Sequence, residues 1–528
     1  MKKMKHFVSI ALIVTLIGSL LFLSGCKNQM TANEKGDSSY VIKYWCELPA
    51  SMASKFKNLG ETDWAKEIES LTGMKVEYIH PSAGQESAQF NLMLASKDLP
   101  DVIETNLYGM YYTNGINGAL EDGIIVDLKP LIEKHAPDLK SWIEKYPTVQ
   151  QGVTAPSGKI HSIPFIGADN FNTFGGLVLR KDFLDKANLP LPETIDDWEK
   201  VLYAFKEQGV KYPFIARQNA GLIKYPQPFA TAYGVIMDFY LDDNDKVMFG
   251  LSDGDLKGYI TRLTKWQNAG LIDAEWFVQN DQVMKTKILN NEAGAFFGFL
   301  GGEMGNLINN AKNAGNKAFV LSGAKYPTIN KGDTQRYTSV ASSRFRDTTA
   351  NITSTSKNPE FVIKWLNKAY FSKEGDIISN YGIKDKTYTI KDGKYIYTDL
   401  VTKNPDGASM AEILSRYTRA NVPRVGINQD GYFEQYYSEP SVREAAIMYS
   451  KTDSGKHMLP KLLTLPKSEQ EEFDKIYGPL CAYVDEECTK IVTGVKPISE
   501  IDNVVEKIKQ MGAEKLKSMK QKAYDQMK

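Results

Sequence analysis

Cysteines are the most reactive side chains of this 528-residue sequence, and the placement of its four decides what each can do. Cys26 closes an apolar run, directly after Leu23-Ser24-Gly25. Cys481 and Cys488 share one helical face. Seven residues rise about 10 Å along a helix, which is beyond the reach of a disulfide. With Cys26 set aside, Cys46, Cys481 and Cys488 are an odd set and read as free, mostly buried thiols. Zinc ligation is argued against by the lack of CxxC or HExxH and by five histidines that fall singly. Two acidic stretches, TIDD (194–197) and SEID (499–502), have the form of helix caps. A glycosidase would need two carboxylates at a defined separation, and no such constellation stands out. FFGFLGGEMG (296–305) lacks the Lys-Ser/Thr of a phosphate loop. Aromatic rings are plentiful, with 28 tyrosines among them. Ring faces beside Asn, Asp, Gln, Glu or Arg suit a neutral sugar, which presents CH faces and rings of hydroxyls.

The elements that must position such residues begin with SYVIKYWC (39–46), an alternating strand. A helix over 61–72 sets Trp64, Ile68 and Leu71 on one side, and Gly73 stops it. A strand follows at 74–80, then a helix over 86–96 with Phe90, Met93 and Leu94 inward. Leu99-Pro100 leads into a buried strand at 101–105. This β-α-β-α-β order predicts an α/β fold with a mainly parallel sheet and right-handed crossovers. Further on, Thr194 and Asp197 cap a helix bearing Trp198, Val201, Leu202 and Phe205. Ser499 and Asp502 are expected to cap one bearing Val504, Val505, Ile508 and Met511, closed by Gly512. Trp64, Trp198 and Trp365 fall on apolar helix faces and belong to the core.

Lysines 2, 3 and 5 precede the apolar run from Phe7 to Leu23, and no acid appears before Glu34. That is the order of a secretory signal. At roughly 18 residues the run could equally span a membrane uncleaved. Its ending resembles the lipobox of bacterial lipoproteins, which implies cleavage before Cys26 and diacylglyceryl transfer to its thiol. Residues 1–25 are then the signal peptide, and 26–39 a lipidated, flexible polar linker. Two acyl chains suffice for stable anchoring. Without residues 1–25, which hold three lysines and no acid, the charge of the 64 basic and 64 acidic residues becomes −3. No basic tract points to nucleic acid.

Several stretches together resemble the extracellular solute-binding proteins of family 1, the binding components of ABC importers. They are NLMLASKDLPDVI (91–103), SGKIHSIPF (157–165), the segment GGLVLRKDF onward (175–207) and KNPEFVIKWLNKAYFSKEG (357–375). YGIKDKTYTIKDGK (381–394) and the closing MGAEKLKSMKQKAYDQMK (511–528) are similar to the long-chain subgroup associated with oligosaccharide uptake. The resemblance implies a two-lobed, periplasmic-binding-protein-like fold of type II with a ligand cleft between interleaved lobes. We expect 40–167 and 320–400 in one lobe, and 168–319 and 401–528 in the other. Some relatives carry a calcium loop after the Thr-capped helix. Here that place reads KEQGVKYPF (206–214), with one acid, where calcium takes about six to eight oxygens. LDDNDKVMFG (241–250) lacks the central glycine and final glutamate of a calcium loop and reads as a hairpin. No metal or cofactor is expected.

In open α/β sheets the ligand crevice lies beyond the carboxyl ends of the strands. That rule nominates Trp45, Glu47, Asn106 and Tyr108 in the first lobe. Asn170 and Asn172 lie where the chain first crosses between lobes. Tyr225, Tyr233, Trp276 and Phe297 come from aromatic loops of the second. Arg344 serves either as a ligand contact or as an inter-lobe salt bridge. The expected protein is not an enzyme. It is a monomer on the outer face of the cytoplasmic membrane of a Gram-positive bacterium, delivering an oligosaccharide to permease subunits. The alternatives are the same role with a peptide or other small solute, or a secreted carbohydrate-active enzyme.

Overall fold

The computed structural model describes residues 40–528, apart from 49, 54, 83, 109–111, 113–114, 170–172, 219–220, 224, 339–343, 347, 404–409, 421–423, 461–462, 464 and 528. Cys26, Asn170 and Asn172 therefore lie outside the described residues.

The first sheet grows from the alternation read in the sequence. Strand β1 (Val41–Cys46) buries Ile42 and Tyr44 and runs parallel to β2 (Lys75–Ile79) and β3 (Val102–Thr105). Helix α1 (Asp63–Thr72) joins the first two strands. Thr62 caps it by accepting the Ala65 NH, and Gly73 ends it at φ 69°, where a side chain would be strained. Helix α2 (Glu86–Ser96) buries Phe90 fully and Met93 and Leu94 in part. Trp64 and Trp365 are wholly buried against this sheet, with Tyr44, Ile352 and Tyr370. Burial of each such side chain stabilises the fold by roughly 1.5–3 kcal/mol.

The second sheet is mixed. Its order is β10-β5-β9-β6, from β5 (Gly175–Arg180), β6 (Tyr212–Ile215), β9 (Ala293–Phe299) and β10 (Leu321–Ala324). Strand β6 is parallel to β9, and β5 runs against both β9 and β10. The carboxyl ends of β6, β9 and β10 and the start of β5 thus share one edge. Helix α3 (Ile195–Glu207) has the full capping box, Thr194 accepting the Asp197 NH while Asp197 accepts back. It buries Trp198 and Phe205, and a Cβ at Gly294 would meet Phe205 at 2.4 Å. Residues 241–250 do form a hairpin, between β7 (Phe239–Leu241) and β8 (Val247–Phe249). Three closing helices, α4 (Lys467–Val492), α5 (Ile501–Gln510) and α6 (Ala513–Met527), complete this core with Leu480, Val484, Ile508 and Leu516. Cys46 and Cys488 are buried and Cys481 half-buried, all three free.

Among the described residues, three segments cross between the sheets. Phe165–Ile166 (β4) pairs in parallel with Gly426–Ile427 (β12), and Ile166 bridges Phe345 in antiparallel fashion; β11 (Thr349–Ile352) lies just beyond, on the edge of the first sheet. The Arg346 NH donates to the Phe165 carbonyl (3.0 Å), and the Asn428 NH to that of Ile166 (2.9 Å).

Two segments lie elsewhere than their expected lobe. Leu321–Ala324 joins the second sheet through β5, and the chain crosses only at 344–346. Residues 410–419 lie on the first lobe, where Arg419 reaches Glu104 at the end of β3. No change of composition marks either crossing. The expected cap at Ser499 is also replaced. Ile498–Glu500 forms a 3-10 turn after Pro497, so Ser499 sits inside that turn and α5 starts after Glu500 without a side-chain cap.

Candidate ligand-binding site

At the mouth of the first sheet, the predicted aromatic residues turn inward. Trp45 is 4% exposed and packs on Phe90 (ring centroids 6.1 Å), which meets Tyr108 edge-on (5.0 Å). Together with Ile103 and Leu107 they form a satellite core. Among the described residues the buried Tyr108 hydroxyl has no hydrogen-bond partner, and burial raises its pKa. Trp45 and Tyr108 are thus core residues, because α2 places Phe90 over the face they would have offered. Glu47 and Asn106 remain at the surface. Partial loss of water, then the charges of Glu86 and Glu104, hold the Glu47 carboxyl above its usual pKa. Beneath them Glu104 is buried. It accepts from Tyr44 (2.8 Å), from the Val425 NH (3.1 Å) and from Arg419 Nη2 (2.6 Å).

The second sheet offers a ring face. Phe174, just before β5, is 39% exposed and stacks on Phe299, the last residue of β9 (5.9 Å, 29°). The pair follows from register, since Gly175 sits opposite Phe299. Behind Phe299, at 5.4 Å, lies the guanidinium of Arg217, which follows β6. Arg217 is buried and ion-paired with Glu303 (2.9 Å) and Asp281 (2.8 Å). Burial raises the Glu303 pKa while Arg217 opposes it, and its carboxylate also accepts the Phe299 NH (2.8 Å). The wide turn Leu300–Gly305 carries Glu303 under the ring. At its Gly301 a Cβ would lie 2.2 Å from the Tyr436 ring, so glycine alone allows that approach. The result is an aromatic plate with an exposed face, fixed from behind by a cation and a buried ion pair. Such a plate binds an apolar face of a ligand without changing its charge.

Arg344 binds protein. Its Nη1 donates to the Gly167 carbonyl (3.2 Å), its Nη2 pairs with Asp169, and its guanidinium lies 4.1 Å from the Tyr146 ring. It ties two crossing segments together. Trp276 is 3% exposed in the core of the second lobe, edge-on to Phe277 at 5.6 Å. Phe297 is likewise buried, and Tyr233 is half-buried against Tyr259. Tyr225 is 44% exposed and stands at the mouth of a separate cavity. Among the described residues no three His, Cys, Asp or Glu side chains converge to hold a metal ion.

Phe174, Phe299 and Arg217 were missed as individuals. The signal was present in TFGG and FGFLGG, where a phenylalanine abuts small residues at each strand mouth. Only the register brings them together.

The family model of the bacterial extracellular solute-binding proteins matches residues 50–376. The chain is 24% identical to the fructooligosaccharide ABC transporter substrate-binding protein FusA of Streptococcus pneumoniae serotype 4, covering 99% of each. It is 21% identical to the lipoprotein LipO of Bacillus subtilis, covering 73% of this chain and 74% of that one. Among solved structures, the alginate-binding protein AlgQ2 without calcium ion superposes with a TM-score of 0.71 at 26% identity, covering 92% of this chain and 97% of that one.

Proposed function

We infer the function from one premise: the chain belongs to the family of bacterial extracellular solute-binding proteins. It is the substrate-binding component of an ABC transporter and not an enzyme. Its solute is an oligosaccharide, held between the two lobes. The stacked pair of Phe174 and Phe299 carries this reading, as a rigid plate at the strand ends matched to the CH face of a sugar. The similarity to FusA, by its name a binder of fructooligosaccharides, supports the same class. Hinge closure follows as the mechanism. Three short crossing segments are the natural place for rotation, and ligand contacts to both lobes would favour the closed state. The permease subunits then receive the loaded form from a monomeric binder. Sheet pairing supports lobes made of 40–166 with 345–428, and 167–338 with 437–527.

The anchor belongs to the same reading. Cys26 carries the lipid and residues 27–39 are the tether, at the outer face of a Gram-positive cytoplasmic membrane. The similarity to a lipoprotein supports this.

Titration calorimetry of the soluble chain against melibiose, raffinose, stachyose, kestose and nystose tests the solute class. At least one should bind, and Phe174→Ala should weaken it about fivefold, from loss of roughly 1 kcal/mol of ring contact. Binding of a peptide with no binding of any saccharide would overturn the reading.

A further inference from the structure

We propose that the short helix Asp430–Tyr436, which follows the crossing strand β12, is a bearing between the lobes. Through the contact of Tyr436 with Gly301 it couples lobe rotation to the aromatic plate; this rests on the two-lobed closure read above. Its contacts divide between the lobes. Toward the first, the Gln435 side chain accepts the Tyr397 NH (2.8 Å) and donates to the Tyr395 carbonyl (3.0 Å), both on the strand Lys394–Tyr397. The Tyr397 hydroxyl donates in turn to the Asn380 carbonyl (2.6 Å), in a helix packed on α1. Tyr432 is buried with Tyr381, Tyr397 and Leu414. Toward the second lobe, Arg443 donates to the Glu434 carbonyl (2.9 Å) from a helix packed on β10. Tyr436 meets the wide turn Leu300–Gly305 at Gly301, where an added Cβ would lie 2.2 Å from its ring. Phe433 and Tyr436 thus flank the apolar clusters of both lobes.

Turning one lobe against the other must displace at least one of these contacts. The hydrogen bonds are directional and weaken steeply when bent. The ring edge against Gly301 has no such direction, so it is the contact that slides. Tyr436 has little room to swing aside, because it stacks on Tyr432 (5.3 Å, 25°) and meets Tyr437 (5.6 Å, 56°). Motion there passes into the turn instead. Both plate residues are bonded to that turn. The Leu300 NH donates to the Phe174 carbonyl (2.9 Å), and Glu303 accepts the Phe299 NH (2.8 Å). A shift of the turn therefore carries the plate with it. Lobe angle and plate position become linked, and a ligand that prefers one position of the plate favours one lobe angle.

Glycine at 301 serves the approach of the ring and not the backbone, since its φ is not positive. Its neighbour Gly302 has the same freedom from backbone constraint and open space where a Cβ would stand. The two glycines thus separate the bearing from the turn that carries it.

Five variants are to be compared with the wild-type soluble chain: Gly301→Ala, Gly302→Ala, Tyr436→Phe, Tyr436→Ala, and Gly301→Ala with Tyr436→Ala together. Each is titrated calorimetrically with raffinose, stachyose, kestose and nystose, and its ligand-free form is measured by small-angle X-ray scattering. Gly301→Ala and Tyr436→Ala should each weaken the saccharide that binds about fivefold and change the ligand-free scattering. Gly302→Ala and Tyr436→Phe should stay within about twofold of wild type, with scattering unchanged. The double variant should bind no worse than Tyr436→Ala alone, because the added methyl then enters the room left by the ring. Losses that multiply to about 25-fold would overturn the contact. Wild-type affinity and scattering in both single variants would overturn the bearing, as would an equal effect of Gly302→Ala. Weaker binding with unchanged scattering would make Tyr436 a local support of the plate and overturn the coupling. If Gly301→Ala does not fold, Tyr436→Ala, which only removes atoms, decides by the same two readouts. If the wild type binds none of the saccharides, the sugar reading falls, and the scattering comparison alone decides the bearing.

Discussion

Asp376 allows a worked prediction. It is 8% exposed, accepts from Asn380 Nδ2 (2.7 Å) and Gln429 Nε2, and lies near Arg424. Burial outweighs these partners and pushes its pKa from 3.8 up to about 7. A carboxyl whose folded pKa lies above its unfolded value favours the fold when protonated. It becomes a liability as pH rises from the unfolded value, near 4, to the folded one, near 7, and the penalty is then constant. At 1.36 kcal/mol per pKa unit the full penalty is about 4 kcal/mol, of which about 2–3 kcal/mol accrues between pH 5 and pH 8. Asp376→Asn keeps the shape and an acceptor and removes the titration. Urea unfolding of both proteins at pH 5, 6, 7 and 8 should show the variant gaining on the wild type by that amount across the series. The site borders a crossing segment, since Asn380 Nδ2 also donates to the Ile427 carbonyl (2.9 Å) and the Gln429 NH donates to Asn380 Oδ1 (3.2 Å). Ligand affinity should accordingly be compared at both ends of the range. A stability difference that stays within about 0.5 kcal/mol from pH 5 to pH 8 would refute the reasoning.

Two further outcomes are expected. Arg419→Met strands the buried Glu104 carboxylate and should cost about 3–5 kcal/mol in urea unfolding at pH 7. Glu104→Gln in the same chain should recover most of that loss, and a double variant no better than the single one would count against the pair. Cys26→Ser should leave the protein unlipidated, released or unprocessed in membrane fractionation, with unchanged affinity in the purified soluble chain. A variant that still partitions with the membrane as a processed lipoprotein would remove Cys26 from that role.

Local physics made much of the fold legible. The alternation in 39–46, the Gly73 stop and the apolar faces holding Trp64, Trp198 and Trp365 each depend on a few neighbouring residues. So does the hairpin at 241–250. The site was less legible, because its residues meet only through tertiary register. Trp45 ends a strand just as a ligand plate would, and Phe90 from the next crossover helix decides otherwise. Arg344 was open between ligand and protein, and the carbonyl of Gly167 with Asp169 settles its partners. Phe174 and Phe299 become a pair only because an antiparallel register sets Gly175 against Phe299. The cap expected at Ser499 failed for a local reason, the turn that begins after Pro497.

The three crossings also constrain the order of assembly. Emerging N-terminus first, the chain delivers β1, β2 and β3 early, yet their sheet lacks its edge strand Thr349–Ile352 until much later. Its Glu104 stays without Arg419 for longer still. The second sheet is different, because all four of its strands lie within one unbroken stretch, Gly175–Ala324. Contacts close in sequence form sooner than distant ones. The middle of the chain can therefore organise while both of its flanks wait, and the first-made strands are among the last to find their complete surroundings. A truncated chain ending before Gly426 would hold a second sheet with all its strands beside a first lobe that cannot finish.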